Sequence, residues 1–246
     1  MKHLLHPLLP LLALSATALP AQEQPSREVA PTLSPLAQEL AQCGEDAAGI
    51  RARLELILNH LTENAEAYHI QGLTVPNLGL IPIAVEEGDG RYLGGAQWAA
   101  SSTIFKIRMR FFTAALPAAH DADSKLTREM ILIDTLVHEL AHCFFYSRYP
   151  KIAKLTQEAP LTICEGYAIH VARAFMARHY YGSTTLPATV YEQNFLSPRY
   201  TRLYRNFCTT YTDANGRILW PRIDTAELHY APQGYTLRNR TQISGQ

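Results

Sequence analysis

Between Met130 and Phe144 an apolar stripe includes Met130, Ile133, Leu136, Val137, Leu140 and Phe144. That three-and-four spacing is the stripe of a helix buried along one side. Ser124 or Thr127 can cap it upstream, and Pro150 sets its end near Arg148. A second helical pattern opens at Pro160, passes through Glu165 to about Tyr180 and closes at Gly182. Ala168, Val171 and Ala172 give it a small-residue face for close packing against the first. Further helices are expected over 35–43, capped by Ser34, over 46–68, with Ile50, Leu54, Ile57, Leu61, Ala65 and Tyr68 in one stripe, and over 198–210. A period of two replaces the helical period over 104–111, where Phe105, Ile107, Met109 and Phe111 alternate with Lys106, Arg108 and Arg110. The apolar stretch 78–85, interrupted by Pro82, suits an edge or irregular strand, and 86–90 and 213–216 read as turns. The pattern as a whole is α+β: a small mixed sheet packed on the long helix, with a second helix beside it.

The ends of the chain follow other rules. Lys2, the apolar run Leu8 to Leu14 and small residues up to Ala18 and Ala21 have the layout of a secretory signal, so 1–21 is read as a signal peptide. The run is too short and too proline-broken to span a membrane, and no later stretch reaches spanning length. Positions 22–34 read as a flexible leader, 35–237 as a single domain and 238–246 as a loose tail. The expected location is therefore secreted or periplasmic. With 22 basic and 22 acidic residues the chain has no net charge, which speaks against a nucleic-acid partner or polybasic membrane binding. Its oligomeric state is not encoded in any pattern we can read.

The chemistry is concentrated at His138-Glu139-Leu-Ala-His142. On a helix His138 and His142 project from one face and can grip one metal ion, while Glu139 lies about 100° round, able to act on a water without ligating the metal. Gly and His are absent at 145 and 148, which excludes a third histidine six residues on. The downstream carboxylate best placed as third ligand is Glu165 in Cys164-Glu165-Gly166-Tyr167-Ala168; Glu158, just before Pro160, reads as a solvated cap residue, and His170 falls on another face. Two imidazoles and a carboxylate suit Zn2+ and leave a fourth position open. Cys43, Cys143, Cys164 and Cys208 are an even set for an exported chain. Three pairings are possible; because Cys143 and Cys164 adjoin two proposed ligands, Cys143–Cys164 with Cys43–Cys208 is the expected one, against four buried thiols.

The segment 135–172 resembles the gluzincin metallopeptidases, in particular peptidase-MA-like domains, in which a His-Glu-x-x-His helix is followed by a Glu-Gly-x-Ala helix. The resemblance implies a zincin-like fold, His138, His142 and Glu165 as zinc ligands, and Glu139 as general base in hydrolysis of a peptide or protein substrate. It also implies that the strand at 104–110 is the edge along which an extended substrate aligns. Gly94-Gly95-Ala96-Gln97-Trp98 stands where zinc aminopeptidases carry Gly-Ala-Met-Glu-Asn and lacks the glutamate that would hold a free α-amine. The oxyanion-stabilising Tyr or His is open among Tyr200, Tyr204, Tyr211, His229, Tyr230 and Tyr235. Two other functions are compatible with the motif: a zinc-stabilised binding or scaffold protein without turnover, and a zinc amidase acting on cell-wall or glycopeptide material.

Overall fold

The computed structural model describes residues 31–87, 93–101, 104–152 and 157–230, with side chains for all of these but 97–108 and 115. The expected signal peptide, most of the leader and the tail at 238–246 lie outside the described residues. Seven α-helices and three strands follow in the order α1 (Pro35–Leu40), α2 (Ala47–Glu63), β1 (Ile83–Glu86), β2 (Gly94–Ser101), β3 (Ile104–Phe112), α3 (Ala122–Arg148), α4 (Glu158–Tyr180), α5 (Ala188–Phe195), α6 (Pro198–Tyr211) and α7 (Trp220–Tyr230). The architecture is α+β and mostly helical. No helix among the described residues is long and apolar enough to cross a membrane.

The sheet has the order β1-β3-β2, β1 parallel and β2 antiparallel to β3. The strand with the alternating sequence, β3, is thus central in order, and from Met109 to Phe112 it has a neighbour on each side. Over Met109–Phe112 its backbone groups are spent on both neighbours, which closes that end of the strand to the expected substrate-aligning role, while Ile104–Arg108 pairs with β2 alone among the described residues. β1 and β2 are the outer strands, and β2 is the one that lies on α3. Gly94 permits that approach: a Cβ there would stand 2.8 Å from Cγ2 of Thr135 and 3.1 Å from the Phe111 ring. Inward-facing Met109 and Phe111 fill the space between sheet and helices.

α3 begins earlier than its sequence suggests. Asp121, not Ser124 or Thr127, is the N-cap; its Oδ1 accepts from Ser124 N at 2.7 Å, and Ser124 Oγ accepts from Asp121 N at 2.9 Å, a reciprocal capping box. Leu132 to Leu140 and Ala141 to Tyr146 are almost wholly buried, so α3 is the central rod of the domain. α2 ends at Glu63, short of Tyr68; the chain then turns back through His69 (φ 57) and Gly72 (φ 77), which carries Tyr68 into the core from a loop. The end of the presumed leader is pinned: Thr32 N donates to Tyr180 O at 2.6 Å and Ser34 N to His179 O at 2.9 Å. Arg53, 2% exposed, ties this layer to α3, donating to Leu40 O, Gly44 O and the Glu129 carboxylate, the last at 2.8 Å.

α4 packs against α3 on one side and α6 on the other. Gly166 makes the second contact possible, because a Cβ there would fall 2.2 Å from Cβ of Phe207. Gly166→Ala is therefore expected to lose stability by about 1–3 kcal/mol through overpacking, outweighing the helix propensity it gains. Urea unfolding should show a lower midpoint at an unchanged slope.

Candidate metal centre

The closeness of α3 and α4 decides what Glu165 meets. Ala168 and Ala172 are buried and short, so α4 lies near enough for the Glu165 carboxylate to reach across to α3. Nε2 of His138 and Nε2 of His142 stand 3.1 Å apart, and each is 3.2 Å from Oε2 of Glu165. Their side chains are 16%, 4% and 12% exposed. An ion with bonds of about 2.0–2.2 Å holds its ligand atoms about 2.8 Å apart at right angles and about 3.4 Å apart at the tetrahedral angle. The triangle falls within that window, and its donors, two imidazoles and a carboxylate, are those zinc takes. The three residues fit a single divalent ion.

Neither a protein-family model, nor a curated protein, nor a solved structure matches this chain. What the site can do must be argued from its own residues.

Glu139 is 7% exposed and faces the sheet, where a carboxylate oxygen (Oε2) accepts a short hydrogen bond from the amide of Ala96 on β2. A buried carboxylate held by a backbone N–H has its desolvation partly offset and its rotamer fixed. His142 stacks on Tyr146, ring centroids 5.2 Å apart, while its Nδ1 is buried without a hydrogen-bond partner among the described residues. One turn before His138 lies Asp134, buried, accepting a short hydrogen bond from the Tyr191 hydroxyl on α5. Burial pushes Asp134 up to about 6, with the Tyr191 hydrogen bond and the His138 charge opposing. Sequence reading missed Asp134, Tyr191 and the Ala96 amide. The one available signal was a carboxylate inside the apolar run Ile133-Asp134-Thr135-Leu136, four residues before a ligand.

The other expected positions resolve as follows. Glu158 is exposed and pairs with Arg202 at 3.3 Å, away from the triangle. His170 turns to the far side of α4, where its Nε2 meets Gly216 O at 3.0 Å and it lines an open groove of about 830 Å³ with His69, Arg173 and Tyr204. Of the oxyanion candidates, Tyr200 comes nearest in the described contacts, its ring edge-on to His138 with centroids 6.5 Å apart. Tyr204 instead accepts from Arg173 at 2.8 Å, and Tyr235 lies outside the described residues. The expected disulfides are not formed: all four cysteines are free thiols. Successive helical residues diverge by about 100°, so bringing His142 and Glu165 together turns Cys143 and Cys164 away from each other. Cys143 Sγ donates to Glu139 O at 3.4 Å within its own helix, and burial raises its pKa well above the ordinary thiol value.

Without metal, burial alone would lower the pKa of His138, but the hydrogen bond to Glu165 and the charges of Glu139, Glu165 and Asp134 prevail and raise it to about 9. Glu165, for which burial works upward, is held well below the carboxylate range by the two histidines. A metal ion must displace the His138 proton. Zinc affinity is therefore expected to rise about tenfold per pH unit up to about pH 9 and then level off. Competition against a chromophoric chelator at several pH values measures this, and a flat profile between neutrality and pH 9 would contradict the proton assignment.

Proposed function

We propose that this chain is an exported zinc-dependent peptidase of gluzincin type, with His138, His142 and Glu165 as metal ligands and Glu139 as general base. The observation that carries the reading is the pairing of a three-donor triangle with an adjacent, buried, non-ligating carboxylate. A purely structural zinc site has no use for a base and closes with a fourth protein side chain. Among the described residues only these three His, Cys, Asp or Glu side chains come together in a metal-holding group. The secretory layout of 1–21 supports an extracellular or periplasmic setting.

When bound, zinc supplies a Lewis acid that polarises a carbonyl and brings the pKa of water towards neutrality. Glu139 takes the proton from the attacking water and returns it to the leaving amine. The Ala96 amide keeps one oxygen of that carboxylate fixed while the other exchanges the proton. Outer strand β2, adjacent to Glu139, has no further strand beside it among the described residues, and beyond the Ala96 amide an extended peptide would add there as a further strand. Asp134, steadied by Tyr191, balances charge behind His138, the role a carboxylate commonly plays behind a ligating imidazole. Tyr200, whose ring lies edge-on to that of His138, is our candidate for the donor to the oxyanion that forms during hydrolysis.

Glu139→Gln should retain about one zinc at this centre and lose peptide hydrolysis by at least a thousandfold, read by elemental analysis beside turnover of a peptide library. His142→Ala should lose both metal and activity; zinc retained there with activity intact would break the ligand assignment. Tyr200→Phe should keep the metal and KM while kcat falls by about a hundredfold. An unchanged kcat would return the oxyanion role to another donor.

A further inference from the structure

At the opposite end of α4 from Glu165, three more lone-pair donors converge. Nε2 of His60, at the end of α2, is 3.0 Å from Nε2 of His179, in the last turn of α4. The Tyr68 hydroxyl, from the loop after α2, is 3.0 Å from the first and 2.8 Å from the second. The result is a triangle with the dimensions of the one formed by His138, His142 and Glu165. Hydrogen bonds account for two edges, with Nε2–H of His60 donating to the Tyr68 oxygen and the Tyr68 O–H donating to Nε2 of His179, and leave the 3.0 Å contact between the two nitrogens without a proton of its own. An imidazole nitrogen carries one proton or one lone pair, directed along a single line in the ring plane, whereas each nitrogen here faces two partners about 60° apart. A single cation near the middle of the triangle satisfies all three donors at once, and the edges fall within the 2.8–3.4 Å window of an ion bonded at about 2.0–2.2 Å.

The surroundings fit that reading. Nδ1 of His179 is 2.8 Å from Oγ of Ser34, the N-cap of α1, which accepts from Ala37 N at 3.1 Å. Ser34 retains a lone pair for an Nδ1–H, leaving Nε2 of His179 bare; this is the arrangement typical behind a metal-binding imidazole. Tyr68 is 1% and His179 7% exposed, and Phe175 closes one side with its ring 4.4 Å from that of His179. Burial lowers the pKa of both histidines, that of His179 to about 4. Two charged groups act on the site: Glu63, one turn on from His60, and Arg178, whose guanidinium lies 5.1 Å over the Tyr68 ring.

We propose that His60, Tyr68 and His179 form a second site for a divalent transition-metal ion, structural in role, which clamps α1, α2 and the following loop to the end of α4. The proposal does not depend on the peptidase reading. Binding replaces the phenol proton of Tyr68 with the metal and releases that proton to solvent, with no change of oxidation state. A Tyr–His₂ set accepts Zn2+ and Cu2+ alike.

The test uses the full chain, stripped with chelator and reloaded with Zn2+ or with Cu2+. Wild type should hold two zinc ions per chain, His142→Ala one, His179→Gln one and the double variant none. With Cu2+, His142→Ala should show a tyrosinate-to-copper charge-transfer absorption in the visible that Tyr68→Phe in the same background abolishes. Tyr68→Phe keeps the ring in the core, so it remains informative if His179→Gln fails to fold, and its zinc affinity at this site should fall at least tenfold. Equal zinc content in wild type and folded His179→Gln overturns the proposal, as does copper loading without the charge-transfer band. One ion in wild type that His179→Gln removes and His142→Ala leaves would support this site while sinking the catalytic centre.

Discussion

A carboxylate buried between two helices, with no lysine or arginine paired to it among the described residues, sets the terms for the rest of the structure. Glu165 is 12% exposed, and its ion-pair partners among the described residues are the imidazoles of His138 and His142. An unpaired charge in such a place would cost several kcal/mol. The arrangement is therefore stable only while the two histidines supply a proton or hold a metal. The small residues of α4, the glycine under Phe207 and the buried length of α3 all serve to bring that one oxygen to those two nitrogens.

The proposed base is handled differently. Glu139 leaves the helix on the side of the sheet and is satisfied by a backbone amide, a partner that neither titrates nor carries a formal charge. The proposed ligand His138 and the proposed base Glu139 thus draw on separate electrostatic resources although they are consecutive residues. β2 consequently has two places in the structure: it fixes the Glu139 carboxylate through Ala96, and it is one of the sheet's two outer strands.

Much of this was legible in the sequence because it is periodic. The stripe from Met130 to Phe144, the i and i+4 histidines and the Glu165-Gly166 opening of the next helix follow a helix's own repeat, so their mutual placement needs no tertiary knowledge. What escaped depended on contacts between distant segments. β3 alternates as an edge strand would, yet it is central because β1 returns parallel to it, and alternation carries no information about the number of neighbours. The cysteine pairing failed on direction: proximity of the ligands was read as proximity of their sequence neighbours. Tyr68 sits on the helical stripe of α2 in sequence, but Asn64 ends that helix and the loop delivers the ring to His60 and His179 instead. α5 starts without a side-chain cap, which left nothing to read ahead of Tyr191.

Because His138, Glu139, His142 and Asp134 all ride on one uninterrupted helix of 27 residues, the spacing of the centre is a property of the helical screw and owes nothing to any loop. One consequence concerns length changes in the gene. A codon gained or lost within the stretch from Asp134 to His142 rotates everything beyond it by about 100° and disperses the donors. The same change in the connection between α3 and α4 alters only the path by which Glu165 arrives. Tolerance to insertion should therefore switch from nil to generous over a few codons, with the boundary drawn at the end of the rod.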